Sequence, residues 1–362
     1  MSRPQPRLRS ICLLGIALAF GAACQPQPPS DAPSGISSGG EGESPQETVL
    51  INGTGATFPV FIYQKWFSEY NQLHPNVQVN YQPVGSAAGI QQMISETVDF
   101  GASDIAMTDE EMAQTGRGVV LIPMTAGSVA IAYNLPGAEG LRLSREALTQ
   151  IFLGQITQWN DPLLVDLNPD LALPDLPISL VHRSDGSGTT AVLTAHLNAI
   201  SPEWAEQVGT GLSVAWPAGI GIKSNAGVSA QIQQAEGTLG YVEYSFAQQL
   251  GLATAALENR AGEFVQPTLA ATAAALAAVE LPENLRGFVT DPDAPEAYPI
   301  VTYSWLLAYE SYPNEATAIA LRDVVQWSLR EGQAFSEDLG YVPLPESVVE
   351  RAIAASERID SD

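Results

Sequence analysis

Arg183-Ser184-Asp185-Gly186-Ser187-Gly188-Thr189-Thr190 lies between the apolar, strand-like Ile178–Val181 and the helix-like Ala191–Leu197. Strand, short turn and helix in that order make an α/β unit, and this turn has the composition of an oxyanion holder. A helix N-terminus offers unpaired N–H groups and a partial positive charge, glycine admits an anion close to the backbone, and Ser and Thr add hydroxyl donors. Arg183 supplies one cation and Asp185 a carboxylate able to hold it. A Gly-Ser-Gly turn before a capped helix is also ordinary structure, so the reading depends on its company.

Two more helix starts share this chemistry. Gly53-Thr54-Gly55-Ala56-Thr57-Phe58-Pro59 precedes apolar residues at Phe61, Ile62, Trp66 and Phe67, and Pro59 suits a first helical turn. Gly85-Ser86-Ala87-Ala88-Gly89 opens Ile90–Ile94 just after Val77–Val84, whose apolar residues at 77, 79 and 81 alternate as in a strand. Between them Val98-Asp99-Phe100-Gly101-Ala102-Ser103-Asp104 reads as a short apolar strand that ends in a carboxylate. An acid among anion donors makes electrostatic sense when the ligand has a proton to give it. As one of 40 acidic residues, Asp104 has a plainer alternative, capping a helix at Thr108–Met112.

Five segments in this order, GTGATFP (Gly53–Pro59), GSAAG (Gly85–Gly89), TVDFGASD (Thr97–Asp104), RSDGSGT (Arg183–Thr189) and GYVEY (Gly240–Tyr244), resemble the extracytoplasmic phosphate-binding proteins of phosphate ABC transporters. The resemblance runs from about Leu50 to Ala354. It implies an α/β, two-lobed periplasmic-binding-protein fold with two crossing hinge strands, type II-like. The implied lobes are residues 48–128 with 299–362 and residues 129–298, crossing near Gly127–Tyr133 and Tyr298–Tyr303. It further implies that orthophosphate is held in the cleft by the Thr57 hydroxyl, backbone N–H groups near Phe58, Ser86, Arg183, Ser187, Gly188 and Thr189. Asp104 would accept the ligand's proton and Asp185 would hold Arg183. The implied protein is a monomeric carrier that needs no cofactor or metal and serves membrane permease subunits. One departure stands out: Ala87 and Ala88 occupy positions where the family often has a second Ser and a second Gly, which removes a hydroxyl and leaves a backbone donor.

Strand-like and helix-like segments alternate from Val49 onward, as in α/β architecture. Leu121–Met124, Val129–Tyr133, Tyr241–Tyr244 and Ile300–Leu307 read as strands. Arg145–Phe152, Thr268–Val279, Asn314–Leu329 and Pro345–Glu357 read as helices, and Leu281–Tyr298 as a loop. Trp66, Trp159, Trp216 and Trp305 read as packing residues.

A hydrolase is the rival from another class. It would need a metal cluster or a nucleophile with a base in reach. Only His74, His182 and His196 are present, none forms an i, i+4 ligand pair, and no HExxH, GxSxG or Walker sequence occurs. His182 could modulate its neighbour Arg183 or simply pack at a strand end, and His196 falls on the helical pattern as a structural residue. Lys223, in Gly219-Ile220-Gly221-Ile222-Lys223-Ser224-Asn225, lacks P-loop spacing and reads as a surface loop residue. A sulfate- or arsenate-binding protein is the rival within the same class.

The 362 residues carry 40 acidic and 15 basic side chains, for a net charge of −25, which argues against a nucleic-acid partner. An anion binder this acidic is workable because the Debye length at physiological salt is about 8 Å, so distant carboxylates are screened while local dipoles are not.

Arg3, Arg7 and Arg9 precede the apolar Ile11–Phe20 and then Gly21-Ala22-Ala23-Cys24, an export signal (1–24) too short to span a bilayer. Small residues before Cys24 resemble a bacterial lipobox, with Gly21 where that motif usually has Leu, and imply lipid attachment at Cys24. Gln25–Glu47, rich in Pro, Ser, Gly and Gln, reads as a flexible tether. The only cysteines are Cys12 and Cys24, so the folded part has neither a disulfide nor a Cys metal site. The expected location is extracytoplasmic, with the membrane contacted through the anchor. Cys24→Ser is therefore expected to move the protein from the membrane fraction to the soluble extract; a wild type that is already soluble, with an N-terminus other than residue 24, refutes the anchor.

Overall fold

The computed structural model describes residues Thr48–Ser361; the leader, Cys24 and the tether lie outside the described residues. The polypeptide opens with β1 (Val49–Gly55), α1 (Val60–Leu73), β2 (Val77–Pro83), α2 (Ser86–Ile94) and β3 (Phe100–Ser103). The three strands pair in parallel, with β1 between β2 and β3. α1 buries Val60, Ile62, Tyr63, Trp66, Phe67 and Tyr70, the three- and four-residue spacing of an amphipathic helix face. Its N-cap is Pro59, one position before the first helical turn.

β4 (Val119–Tyr133) organises everything else. Leu121–Met124 and Val129–Tyr133 read from sequence as separate strands, but they form one strand of 15 residues, buried along its whole length. At about 3.3 Å per residue it is roughly 50 Å long, more than one lobe requires. Its first half pairs antiparallel with the strand Val301–Tyr309, from Val119↔Tyr309 to Ser128↔Val301. That strand pairs antiparallel with β3 on its other side. The second half, Val129–Tyr133, pairs antiparallel with Thr238–Glu243, which is followed in parallel by Ser179–Arg183 and then Ile220–Ile222. Successive residues of β4 serve opposite faces: Val129, Ile131 and Tyr133 join the large core, whereas Ala132 packs with Val181, Val228, Ile232 and Val242.

These directions place the site. β1, β2 and β3 run toward the crossing point near Gly127–Val129, and so do the strands Ser179–Arg183, Ile220–Ile222 and Thr238–Glu243 from the other side. The carboxyl ends of two oppositely directed sets of three parallel strands therefore converge between two α/β lobes, where ligands of open α/β sheets bind. Tyr298 Oη donates to the Val129 carbonyl at 3.1 Å, and Val129 N–H to the Ile300 carbonyl at 2.9 Å, so the two crossing segments are bonded to each other.

Trp66, Trp159 and Trp305 are fully buried, and each indole N–H reaches a backbone carbonyl, of Gly332, Gly237 and Leu285 respectively. Trp216 stacks on Tyr241 and on His182, which gives His182 the packing role at a strand end. His196 is buried, and burial pulls its pKa down to about 4, so it is neutral. Among the described residues no helix is long and apolar enough to cross a membrane.

α2 depends on a glycine in its first turn. A Cβ at Gly89 would lie 2.6 Å from the Ala102 carbonyl oxygen and 2.8 Å from Gly55 Cα, both backbone atoms of neighbouring strands. Overpacking of this kind costs about 1–3 kcal/mol. Gly89→Ala is expected to lower stability by that amount, measured as a lower urea midpoint with an unchanged slope; an unchanged midpoint refutes the close-approach argument.

Candidate functional site

Arg183 is the last residue of its strand, and its side chain is only 1% exposed. A buried guanidinium must be paired. Asp185, two residues on, accepts from Nε at 2.8 Å and from Nη2, so the carboxylate grips one edge of the fork. Ser224 N–H donates to the same carboxylate at 3.1 Å. Burial alone would raise the Asp185 pKa, but Arg183 and this amide outweigh it and hold the group below the usual range. Nη1, at the other edge of the guanidinium, is buried with no hydrogen-bond partner among the described residues. Its two N–H donors are thus held in place through Asp185 and left unspent, as an anion-binding arginine requires.

Asp104 follows the end of β3 and is 1% exposed. Ser304 Oγ donates to Oδ1 at 2.9 Å, Ser86 Oγ lies 3.4 Å from Oδ2, and Asp104 N–H donates to Ser86 Oγ at 3.2 Å. Thr302 Oγ1 donates to the Asp104 carbonyl at 3.0 Å. Burial pushes the Asp104 pKa up to about 7, against the opposing effects of Ser304, the nearby Arg183 charge and Ser86. Asp104 does not cap the following helix. Thr108 does, in a capping box with Glu111.

The two sides of the cleft touch. A Cβ at Gly188 would fall 2.5 Å from Ser86 Oγ and 2.7 Å from Asp104 Oδ2, so this position needs glycine. Ala87 N–H donates to the Gly186 carbonyl at 3.1 Å, which spends the backbone donor of Ala87 at this departure from the family pattern. Ser187 caps the helix Gly188–Ile200 by accepting from Thr190 N–H at 3.2 Å, and its hydroxyl proton stays available. Gly188 and Thr189 occupy the first turn of that helix, where N–H groups have no intrahelical partner.

Thr57 and Phe58 form the entrance to α1, and both are buried. The Phe58 carbonyl accepts from Tyr341 Oη at 2.7 Å; Ser245 Oγ donates to that phenol at 3.1 Å and also contacts the Glu243 carboxyl. Ser245 Oγ has one proton and two acceptors in reach, the Glu243 carboxyl and the Tyr341 phenol, so both contacts are satisfied together when the Glu243 carboxyl is protonated. Burial agrees, raising the Glu243 pKa well above the carboxylate range.

All nine predicted residues, Thr57, Phe58, Ser86, Asp104, Arg183, Asp185, Ser187, Gly188 and Thr189, therefore lie at the converging strand ends. Five further residues join them to which the resemblance gave no role: Tyr241, within the GYVEY segment, and Asn225, Thr302, Ser304 and Tyr341, outside the five motifs. Tyr241 Oη accepts from Arg183 N–H at 3.0 Å and bonds Thr190 Oγ1 at 2.6 Å, which fixes the start of the anion loop. Asn225 had a legible signal, since Ile222-Lys223-Ser224-Asn225 is another strand-to-helix junction; Lys223 itself is exposed, as expected. Thr302, Ser304 and Tyr341 carried none, because only the return of the polypeptide to the first lobe brings them here.

The PBP superfamily domain matches residues 39–331. The phosphate-binding protein PstS of Pasteurella multocida (strain Pm70) is 42% identical over 309 residues, covering 84% of this chain and 89% of the relative. The PstS of Xylella fastidiosa (strain 9a5c) is 38% identical over 351 residues, 94% of each. Among solved structures, the periplasmic phosphate-binding protein PfluDING, bound with phosphate, shares the fold at a TM-score of 0.70 and 22% identity, over 84% of this chain and 93% of that one. By the extent of the domain match and the identity to these relatives, the chain belongs to the PBP superfamily and, within it, to the PstS phosphate-binding proteins.

Proposed function

We propose that this protein captures orthophosphate outside the cytoplasmic membrane, in the cleft between its lobes, and delivers it to the permease of an ABC importer. The observation that carries this reading is the pairing, in one buried site, of a half-spent guanidinium at Arg183 with a protonatable carboxyl at Asp104. Arg183, the hydroxyls of Thr57, Ser86, Ser187 and Thr189, and the amides near Phe58 and at Gly188 donate to the phosphate oxygens. Asp104 receives the proton that phosphate keeps near neutral pH. The lobes divide at the crossings near Gly127–Tyr133 and Tyr298–Tyr303, so residues 48–128 with 299–362 close on residues 129–298. The protein acts as a monomer, is held at the membrane by a lipid on Cys24, and binds its ligand without turning it over. Calorimetry of the tether-free domain against phosphate, sulfate and arsenate, with a phosphomonoester turnover assay alongside, tests the reading; no phosphate binding, or steady turnover, refutes it.

Arg183 is the one full positive charge in the five motifs. A hydrogen bond to a charged group contributes about 1.5–3 kcal/mol, so Arg183→Ala is expected to weaken phosphate binding roughly ten- to hundredfold, and Asp185→Asn by less. An unchanged dissociation constant for Arg183→Ala removes it from the site.

Asp104 discriminates between anions. Sulfate has no proton at neutral pH and would set an oxygen against a buried carboxylate, and a site built for a hydroxyl rejects an analogue lacking it by roughly 10⁴–10⁵. Asp104→Asn is expected to keep phosphate within about tenfold and to bind sulfate better than wild type. The raised pKa sets the sign with pH: below about 7 the carboxyl is neutral and can donate, so sulfate binding to wild type should strengthen as pH falls through that value, while the Asn variant shows no such rise. Equal wild-type affinity for the two anions above that value, where the carboxyl is charged, refutes the role.

A further inference from the structure

We propose that Asn225 is a positioning residue for the bound anion: it sets the hydroxyl groups of Thr57 and Thr189 as donors, and it does so only when the cleft is closed. The inference rests on the phosphate-binding reading above and adds to it a residue outside the five motifs.

Asn225 is fully buried at the start of the helix Ser224–Gln234. Glu243 N–H donates to Asn225 Oδ1 at 3.3 Å, and since a backbone N–H needs an acceptor, the amide can have only one orientation. Nδ2 then faces the cleft with two protons. It donates to Thr57 Oγ1 at 3.1 Å and to Thr189 Oγ1 at 3.4 Å. The backbone N–H of Asn225 also donates to Thr57 Oγ1, at 3.4 Å.

A hydroxyl has two lone pairs and one proton. Both lone pairs of Thr57 Oγ1 face donors from Asn225, so its proton has to be given to a third group, and an anion oxygen is the acceptor the site provides for. Thr189 is biased the same way by the second Nδ2 proton. Without Asn225 each hydroxyl would be free to rotate and to point a lone pair at the anion.

The backbone beside Asn225 is shaped for this contact. Ser224 has φ +64°, a conformation that costs energy for a residue other than glycine and is kept where the surroundings over-determine it. The turn directs Ser224 N–H to Asp185 and Asn225 N–H to Thr57. One corner thus supports both the holder of Arg183 and the first-lobe hydroxyl. Thr57 follows β1, whereas Thr189 and Asn225 lie beyond the crossing, so the Thr57 contacts form only on closure.

The test is phosphate calorimetry on the tether-free protein, using variants whose near-UV spectra match wild type. Asn225→Ala is expected to weaken phosphate about tenfold, and Asn225→Asp about a hundredfold, because the new carboxylate takes the threonine protons and adds a negative charge; a net hydrogen bond and a charged one differ by about this much. Asn225→Asp keeps the shape and Asn225→Ala the apolar stem, so either one suffices if the other does not fold. A merely structural role is separated by a double-mutant cycle: in a Thr57→Val, Thr189→Val background, Asn225→Ala should cost less than about threefold. Wild-type failure to bind phosphate would sink the underlying function. Normal wild-type binding with Asn225 variants within about twofold, or with the full loss retained in the double-valine background, would sink this inference alone.

Discussion

A single strand shared by two half-sheets is the constraint on which this structure depends. β4 pairs with Val301–Tyr309 over its first half and with Thr238–Glu243 over its second, and both pairings are antiparallel. The parallel strands beyond them are thereby forced to point their carboxyl ends at the crossing from opposite sides. Most groups of the site sit on turns that leave such an end, and Thr302 and Ser304 sit on the crossing strand Val301–Tyr309. The cleft is a consequence of strand direction before it is a matter of side-chain choice.

Electrostatics at the crossing differ from those of the molecule as a whole. A net charge of −25 would oppose an anion at long range, but the site presents few full charges. Arg183 is largely neutralised by Asp185 on one edge and unspent on the other. The remaining donors are hydroxyls and amides at helix starts, whose dipoles act over the short distances that salt does not screen. Burial pushes Glu243 toward the protonated form, so it need not repel an anion with a full charge, whereas Asp104, raised to about 7, carries its charge above that value and loses it as pH falls.

The hydrogen bonds across the cleft form a proton-ordered set. Glu243 appears in it twice: its N–H orders the Asn225 amide, and its carboxyl contacts Ser245, which bonds the Tyr341 phenol that in turn donates to the Phe58 carbonyl. Within the GYVEY segment, Glu243 therefore acts on the site through the groups it orders rather than by touching the anion loop itself.

The α/β class and the three Gly/Ser/Thr turns of the site were legible in the order of the residues. Such a turn between an apolar strand and a helix is local chemistry, and Gly53–Pro59, Gly85–Gly89 and Arg183–Thr189 each show it within a few residues. Local pattern could not join Leu121–Met124 to Val129–Tyr133, because the intervening Thr-Ala-Gly-Ser of residues 125–128 is small, without a large apolar side chain, and is buried only by neighbours distant in sequence. Long-range packing was needed to bring Ser304, 200 residues from Asp104, into position to donate to it, and Tyr341, 283 residues from Phe58, onto its carbonyl. The same packing sets the Asp104 pKa, since desolvation is a property of everything gathered around a carboxyl and little of that surrounding is written next to it in the chain.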